Sequence, residues 1–122
     1  MVPTLYEQLG GEAKLRVIIS DFVDAVSGDL MIGFLFASTS LKRLKEFEYQ
    51  HAAVLLGAPD VVYRGRDLEA VHGPLRIASG QFSRRLSILR DILYKHRVSL
   101  PICTVWLAHQ EALRHKIVAG SC

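Results

Sequence analysis

The apolar residues of this chain recur at helical spacing and almost nowhere at strand spacing, and that regularity confines it to an all-α fold. From Glu12 to Ser27, Leu15, Ile18, Ile19, Phe22 and Val26 follow the i, i+3, i+4, i+7 rule, while Lys14, Arg16, Asp21 and Asp24 fall on other faces. A second long helix is predicted from about Leu41 to Leu56, behind Ser38-Thr39-Ser40, whose hydroxyls suit an N-cap. A third follows Ser79 through Phe82, Leu86, Leu89, Ile92 and Leu93 to about His96. The last starts near Ser99, tolerates Pro101 in its first turn and runs to about Val118. Thr4-Leu5-Tyr6-Glu7, just after Pro3, has the form of a capping box, and short helical turns fit Asp29–Phe36 and Asp67–Leu75. Glycines stand between or at the ends of these stretches. Val61-Val62-Tyr63 is the only strand-like piece, and there is no Asn-Gly or Asp-Gly hairpin signal.

A chain of 122 residues has room for one domain, taken here as 1–122. Half of its residues are hydrophobic and 22% are charged, which suits a folded globule rather than a disordered one. Its longest apolar runs, Val17-Ile18-Ile19 and Ala52 to Leu56, fall far short of the roughly 18 residues that span a bilayer. Glu7 interrupts the N-terminus where a signal peptide would be apolar, so the expectation is a cytoplasmic protein with no membrane partner. The net charge of +3 is mildly basic. Arg84, Arg85, Arg90, Lys95 and Arg97, and later Arg114-His115-Lys116, read as solvated faces without the aromatic interleaving of a nucleic-acid site, so no nucleic-acid partner is expected. Cys103 reads as a small core residue and Cys122 as a terminal thiol.

Five histidines are the first place to look for chemistry. His96 sits at a helix end, where a cation suits the dipole. His109 and His115 are six positions apart, poor spacing for one helical face, and nothing supplies four zinc ligands in register. His72 lies among apolar residues, Leu68 to Leu75, in a segment stopped by Gly73-Pro74. By itself it reads either as a hydrogen-bonded histidine or as a ligand. His51 shares a helix face with Leu44, Phe47 and Glu48. That pairs an imidazole with a carboxylate, half solvated in the plain reading and functionally perturbed if buried. Catalytic triads, P-loops and dinucleotide fingerprints are absent.

Several segments carry a family pattern in their order and spacing. They are Leu5-Tyr6-Glu7-Gln8-Leu9-Gly10-Gly11, Asp21-Phe22, Phe34-Leu35-Phe36, Arg43-Leu44-Lys45, Leu56-Gly57-Ala58-Pro59, Tyr63-Arg64-Gly65, Val71-His72-Gly73 and Gln81-Phe82-Ser83. From Thr4 to Val118 the chain resembles the truncated haemoglobins, group I most closely, with one residue inserted near Val61-Val62. The resemblance implies a two-over-two helical sandwich that holds haem b (iron protoporphyrin IX) and binds a diatomic ligand: oxygen, NO or CO. It makes His72 the proximal ligand to the iron, in keeping with neutral imidazole as the usual globin axial ligand. It gives Phe36 as the ring wedged against the macrocycle, and Leu68, Val71, Ile77, Phe82 and Leu86 as apolar walls. Arg64, Arg66 or Arg76 would meet the propionates.

On the distal side, beside Phe22, the chain departs from the family. Val23 stands where many members have a hydrogen-bonding tyrosine, and Leu44 takes the distal histidine position. Phe47 replaces a Lys or His, Glu48 a Gln, His51 an aromatic residue, and Arg85 a hydrophobic residue or Trp. A lost neutral donor forfeits on the order of 1 kcal/mol. Glu48, His51 and Arg85 are expected either to replace that donor network or to pair with each other or solvent. As a network they would favour peroxide or anion chemistry, and NO dioxygenase or peroxidase-like activity is the enzymatic form this could take. His51, or less readily Glu48, could also occupy a sixth coordination position. A monomer or weak homodimer is expected. The rival reading is a globin-fold regulatory or interaction module that has lost haem, colourless and indifferent to loss of His72. A basic helical nucleic-acid binder would instead show steeply salt-dependent binding.

Overall fold

The computed structural model describes residues 2–65 and 76–118. The expected turn Asp67–Leu75, with Arg66, Leu68, Val71 and His72, lies outside the described residues, as does Cys122. The described elements are α1 (Leu5–Leu9), α2 (Gly11–Ser27), a 3-10 turn (Gly33–Phe36), α3 (Leu41–Leu55), α4 (Ser79–Lys95), α5 (Leu100–Ala112) and a short α6 (Arg114–Ile117). No strand occurs among them, and Val61–Tyr63 is coil. One isolated parallel bridge joins Ile77 to Val118.

Local chemistry sets these boundaries. Thr4 Oγ1 accepts from the Glu7 amide at 3.1 Å and starts α1. Gly10, at φ +126°, turns the chain sharply into α2, and a Cβ there would come within 2.9 Å of the Lys14 side chain. Ser40 Oγ accepts from the Arg43 amide at 3.3 Å and caps α3. At α4 the capping residue is Ala78, which has no side-chain acceptor. Gln81 Oε1 instead reaches back to the Ala78 amide at 2.8 Å.

Asp29–Phe36 forms short helical turns, as expected: Asp29 Oδ2 accepts from the Met31 and Ile32 amides (3.0 and 3.2 Å) in the manner of an N-cap, the Gly33 amide donates to Asp29 O at 2.8 Å, and 3-10 geometry runs from Gly33 to Phe36. One segment differs from the sequence expectation. The last helix does not run unbroken to Val118 but turns at Leu113 into α6. Arg114 fixes that turn. Its guanidinium donates to Ser79 O, Ser79 Oγ and Ser83 Oγ at 3.0, 2.8 and 3.1 Å and lies 4.7 Å over the Phe82 ring. This pins α6 against the start of α4.

Helix α2 packs on α3 and on α4, α4 packs on α5, and α3 meets α5: a sandwich of two helices over two. The main core is built from Leu15, Ile18, Ile19, Phe22, Val23 and Val26 of α2, with Ala52 and Ala53, Leu89 and Leu93, and Ile102, Cys103 and Trp106 facing them. Tyr49 of α3 is buried beside Ala52 and Ala53 in the same cluster. Cys103 is a free, buried thiol donating to Val98 O at 3.5 Å. A second cluster, Ile77, Phe82 and Ile117, stands apart from the first, with Leu86 and Leu113 packed against it.

The basic run on α4 is not simply a solvated face. Arg84 donates twice to Asp29 Oδ1 (3.1 and 2.7 Å), and Lys95 and His96 converge on Asp21 Oδ2 at 3.3 and 2.7 Å. These partners hold both carboxyls below the usual carboxylate range: Asp21 through His96 and then Lys95, Asp29 through Arg84. Glu46 is held low in the same way by Arg16. A carboxyl whose folded-state pKa is depressed stabilises the fold above its unfolded pKa and loses that contribution as pH falls through the folded one. The melting temperature is therefore expected to drop as pH falls below about 4, and Asp29→Asn to flatten that drop while lowering the neutral-pH value. Melting curves from neutral to acid pH check this, and an unchanged acid limb in the variant would contradict it.

Candidate functional site

A cavity of about 510 Å³ opens between the two hydrophobic clusters, within the ~300–1,000 Å³ of small-molecule sites. Its walls come from five regions. The segment ending in the 3-10 turn supplies Ile32, Leu35 and Phe36. One face of α3 supplies Leu44, Phe47, Glu48 and His51, at the helical spacing of three, four and seven. Tyr63, Arg64 and Gly65 follow from the coil after α3; Ile77, Gln81, Phe82 and Arg85 line the α4 side; Gln110, Leu113 and Ile117 close the far side. Thr39, Ser40, Arg43 and Arg64 are exposed to solvent at its rim.

The coil is positioned by α3. Gln50 Oε1 accepts from the Arg64 amide at 2.8 Å, while Gln50 Nε2 donates to Glu46 Oε1 at 3.1 Å. Tyr63 stands edge-on to His51 (5.2 Å between centroids, 84°) and to Phe47 (6.4 Å, 70°). Its ring folds back over Gly65, where a Cβ would collide with it.

The polar centre is Arg85. Its Nη2 donates to both carboxylate oxygens of Glu48 (3.0 and 3.2 Å), its Nη1 donates to Gln110 Oε1 at 2.6 Å, and its guanidinium lies 4.9 Å over the Phe22 ring. Gln110 is only 4% exposed, and Arg85 supplies the partner its buried oxygen requires. Three helices are thus tied at one point beside an apolar space.

His51 takes no part in that hydrogen-bonded group. Burial pushes its imidazole below the ordinary value; Glu48 opposes the shift, and His109 and Arg85 reinforce it. The His109 ring stands 5.4 Å away, also pushed down by burial, and its Nδ1 is buried without a hydrogen-bond partner among the described residues.

Nine residues singled out from the sequence therefore line one cavity: Phe36, Leu44, Phe47, Glu48, His51, Arg64, Ile77, Phe82 and Arg85. Phe22 lies behind Arg85, Val23 is core at 1% exposure, and Leu86 packs on the outer cluster. Arg76 is exposed and does not line the cavity. Gln110, Leu113, Ile117 and Tyr63 were not singled out. For Gln110 a signal was present: it follows Cys103 and Trp106 by seven and four positions, the phase of the buried face of α5.

The donor set fits a flat apolar ring system bearing carboxylates. Aliphatic and aromatic walls face the interior, two arginines stand at the wet rim, and burial disfavours the charged form of the imidazole on the wall. Comparison with known proteins agrees. A family model described as bacterial-like globin matches residues 4–119. A group 1 truncated hemoglobin of Mycolicibacterium paratuberculosis is 29% identical over 90 residues, 74% of this chain and 65% of that protein, so the match spans just under two thirds of the relative's length. A group 1 truncated hemoglobin of Tetrahymena thermophila is 25% identical over 97 residues, covering 80% of this chain and 79% of that one. The crystal structure of a truncated hemoglobin from Tetrahymena pyriformis, in its Fe(III) form, superimposes with a TM-score of 0.85 at 22% identity, over 97% of this chain and 100% of that one. The fold is the two-over-two helical sandwich of a globin. The chain belongs to the bacterial-like globins and, within them, to the truncated haemoglobins of group I.

The electrostatics of the wall are open to direct measurement. His51 is expected to titrate below the ordinary imidazole value of about 6.5, and Glu48→Gln to lower it further, because the carboxylate favours the imidazolium. Folding disfavours the protonated ring, so its contribution to stability falls as pH drops below the unfolded value. An NMR titration of the ring protons tests both, and a His51 pKa above about 6.5, or one raised by the substitution, would contradict them.

Proposed function

We propose that the chain holds haem b in this cavity, ligates its iron through His72, and binds a small diatomic molecule (oxygen, NO or CO) on the side where Glu48 and Arg85 stand. The observation that carries this reading is where the cavity wall meets the chain. Gly65 and Ile77 both line the cavity, and His72 lies in the segment between them in sequence. When bound, haem supplies an iron centre whose reactivity is tuned by its axial ligand and by the groups around it.

The protein's own contribution is burial, orientation and polarity. Phe36, Leu44, Phe47, Ile77 and Phe82 offer an apolar lining that excludes water. Arg64 at the exposed rim, with Arg43 beside the same opening, suits the propionates, where charge-assisted bonds form without burying a charge. Leu68, Val71 and Leu86 complete the apolar surroundings in this reading. Val23 offers no donor, and its place within the core leaves the polar role to the Glu48–Arg85–Gln110 group. Phe22 supports that group from behind. The protein acts as a single domain in the cytoplasm, as a monomer or weak homodimer. Among the described residues, no helix is long and apolar enough to cross a membrane.

Absorption spectra of protein expressed with haem supply, ferric and dithionite-reduced, beside a His72→Ala variant, test the reading. A sharp Soret band that is lost or displaced in His72→Ala is the expected result. A colourless wild type after haem titration would overturn the haem assignment, and an unchanged band in the variant would overturn the ligand assignment.

A further inference from the structure

Among the described residues, the inner cavity wall carries one positive and one negative side chain, and the two are in contact. Arg85 enters from α4 and Glu48 from α3, with side chains only 18% and 25% exposed. The bonds to Glu48 and Gln110 engage at most three of the five N–H donors that a guanidinium carries, so at least two have no partner among the described residues. The Phe22 ring covers one face of the guanidinium at 4.9 Å, which limits where it can move. Arg43 and Arg64 are exposed, and water and salt screen their charges. Burial disfavours the charged form of His51. Among the described residues, the interior therefore offers guanidinium N–H donors whose charge is balanced by Glu48.

We propose that Glu48 is a specificity residue: by cancelling the charge of Arg85 it sets the cavity to admit neutral, dipolar small molecules and to reject small anions. A neutral molecule with a lone pair needs only a spare N–H of Arg85. An anion must either approach the Glu48 carboxylate or displace it from the guanidinium, and both cost energy beside a largely apolar lining. Of the two expectations for Glu48, His51 and Arg85, the proposal builds on the pairing one, since Glu48 and Arg85 bond to each other. The proposal rests on the haem reading for where the ligand sits, but not for the charge balance itself.

The test uses the ferric full-length protein, titrated with azide as the anion and imidazole as the neutral probe, and followed in the Soret band. Glu48→Gln keeps the shape and an oxygen acceptor for Arg85 but removes the charge. It is expected to raise azide affinity about tenfold while changing imidazole affinity less than about twofold. Arg85→Gln, which leaves Glu48 unpaired, is expected to lower azide affinity by about the same factor. Unchanged azide binding in Glu48→Gln, or equal changes for both probes, overturns the proposal. Should the chain take up no haem, the haem reading fails alone. The cavity charge is then read from binding of the anionic dye anilinonaphthalene sulfonate against neutral phenylnaphthylamine. A gain for the anionic dye only, in Glu48→Gln, supports the proposal, and no such gain overturns it.

Discussion

An arginine side chain keeps its charge inside a protein, so wherever the fold buries one it must also bring acceptors. Arg85 is that case here. Glu48 from α3 and Gln110 from α5 come to it, and the Phe22 ring from α2 forms its floor. Each long helix of the sandwich thus has one side chain committed to the same point. The apolar contacts around Leu15, Ile18, Trp106 and Leu93 supply most of the driving force for folding, but they are non-directional. The Arg85 group is directional. It fixes how α3, α4 and α5 are set against one another beside the cavity, and it does so without filling the space.

Much of this was legible in the sequence. The helical period located α2, α3, α4 and the start of α5, because burying a stripe every three to four residues leaves a mark that no other structure produces. The face of α3 that carries Leu44, Phe47, Glu48 and His51 was readable from spacing alone, and the cavity gathers all four. The break at Leu113 was not readable, since Leu113 and Ile117 continue the apolar rhythm. What turns the chain there is Arg114 bonding to Ser79 and Ser83, more than thirty positions away. The inward turn of Arg85 was hidden for a related reason. A charged residue on a helix defaults to solvent, and its burial depends on Glu48 and Gln110, which lie on other helices. Asp29 was a readable start signal, because its carboxylate caps the Met31 and Ile32 amides that the first helical turn leaves without a partner.

Of the departures from the family pattern, Glu48 and Arg85 meet at one point of the cavity wall, while Val23 lies in the core. Val23 lacks a donor, and Arg85 supplies donors from a different helix. Glu48 brings a charge where an amide is usual, and Arg85 absorbs it. His51 replaces an aromatic ring and is packed as one, edge-on against Tyr63 and close to His109. The result is a polar but neutral wall facing an apolar space, suited to a dipolar ligand rather than to a charged one.

The account depends on a single binding event in that space, and titrating haem into the purified chain measures it most directly. The chain has one tryptophan, Trp106, buried in α5 of the same helical sandwich, so its fluorescence reports haem uptake. The account predicts quenching of Trp106 that saturates at one haem per chain, in step with growth of the Soret band. Quenching that rises without saturation, or a Soret band that grows while Trp106 fluorescence stays constant, would place the haem elsewhere and contradict it.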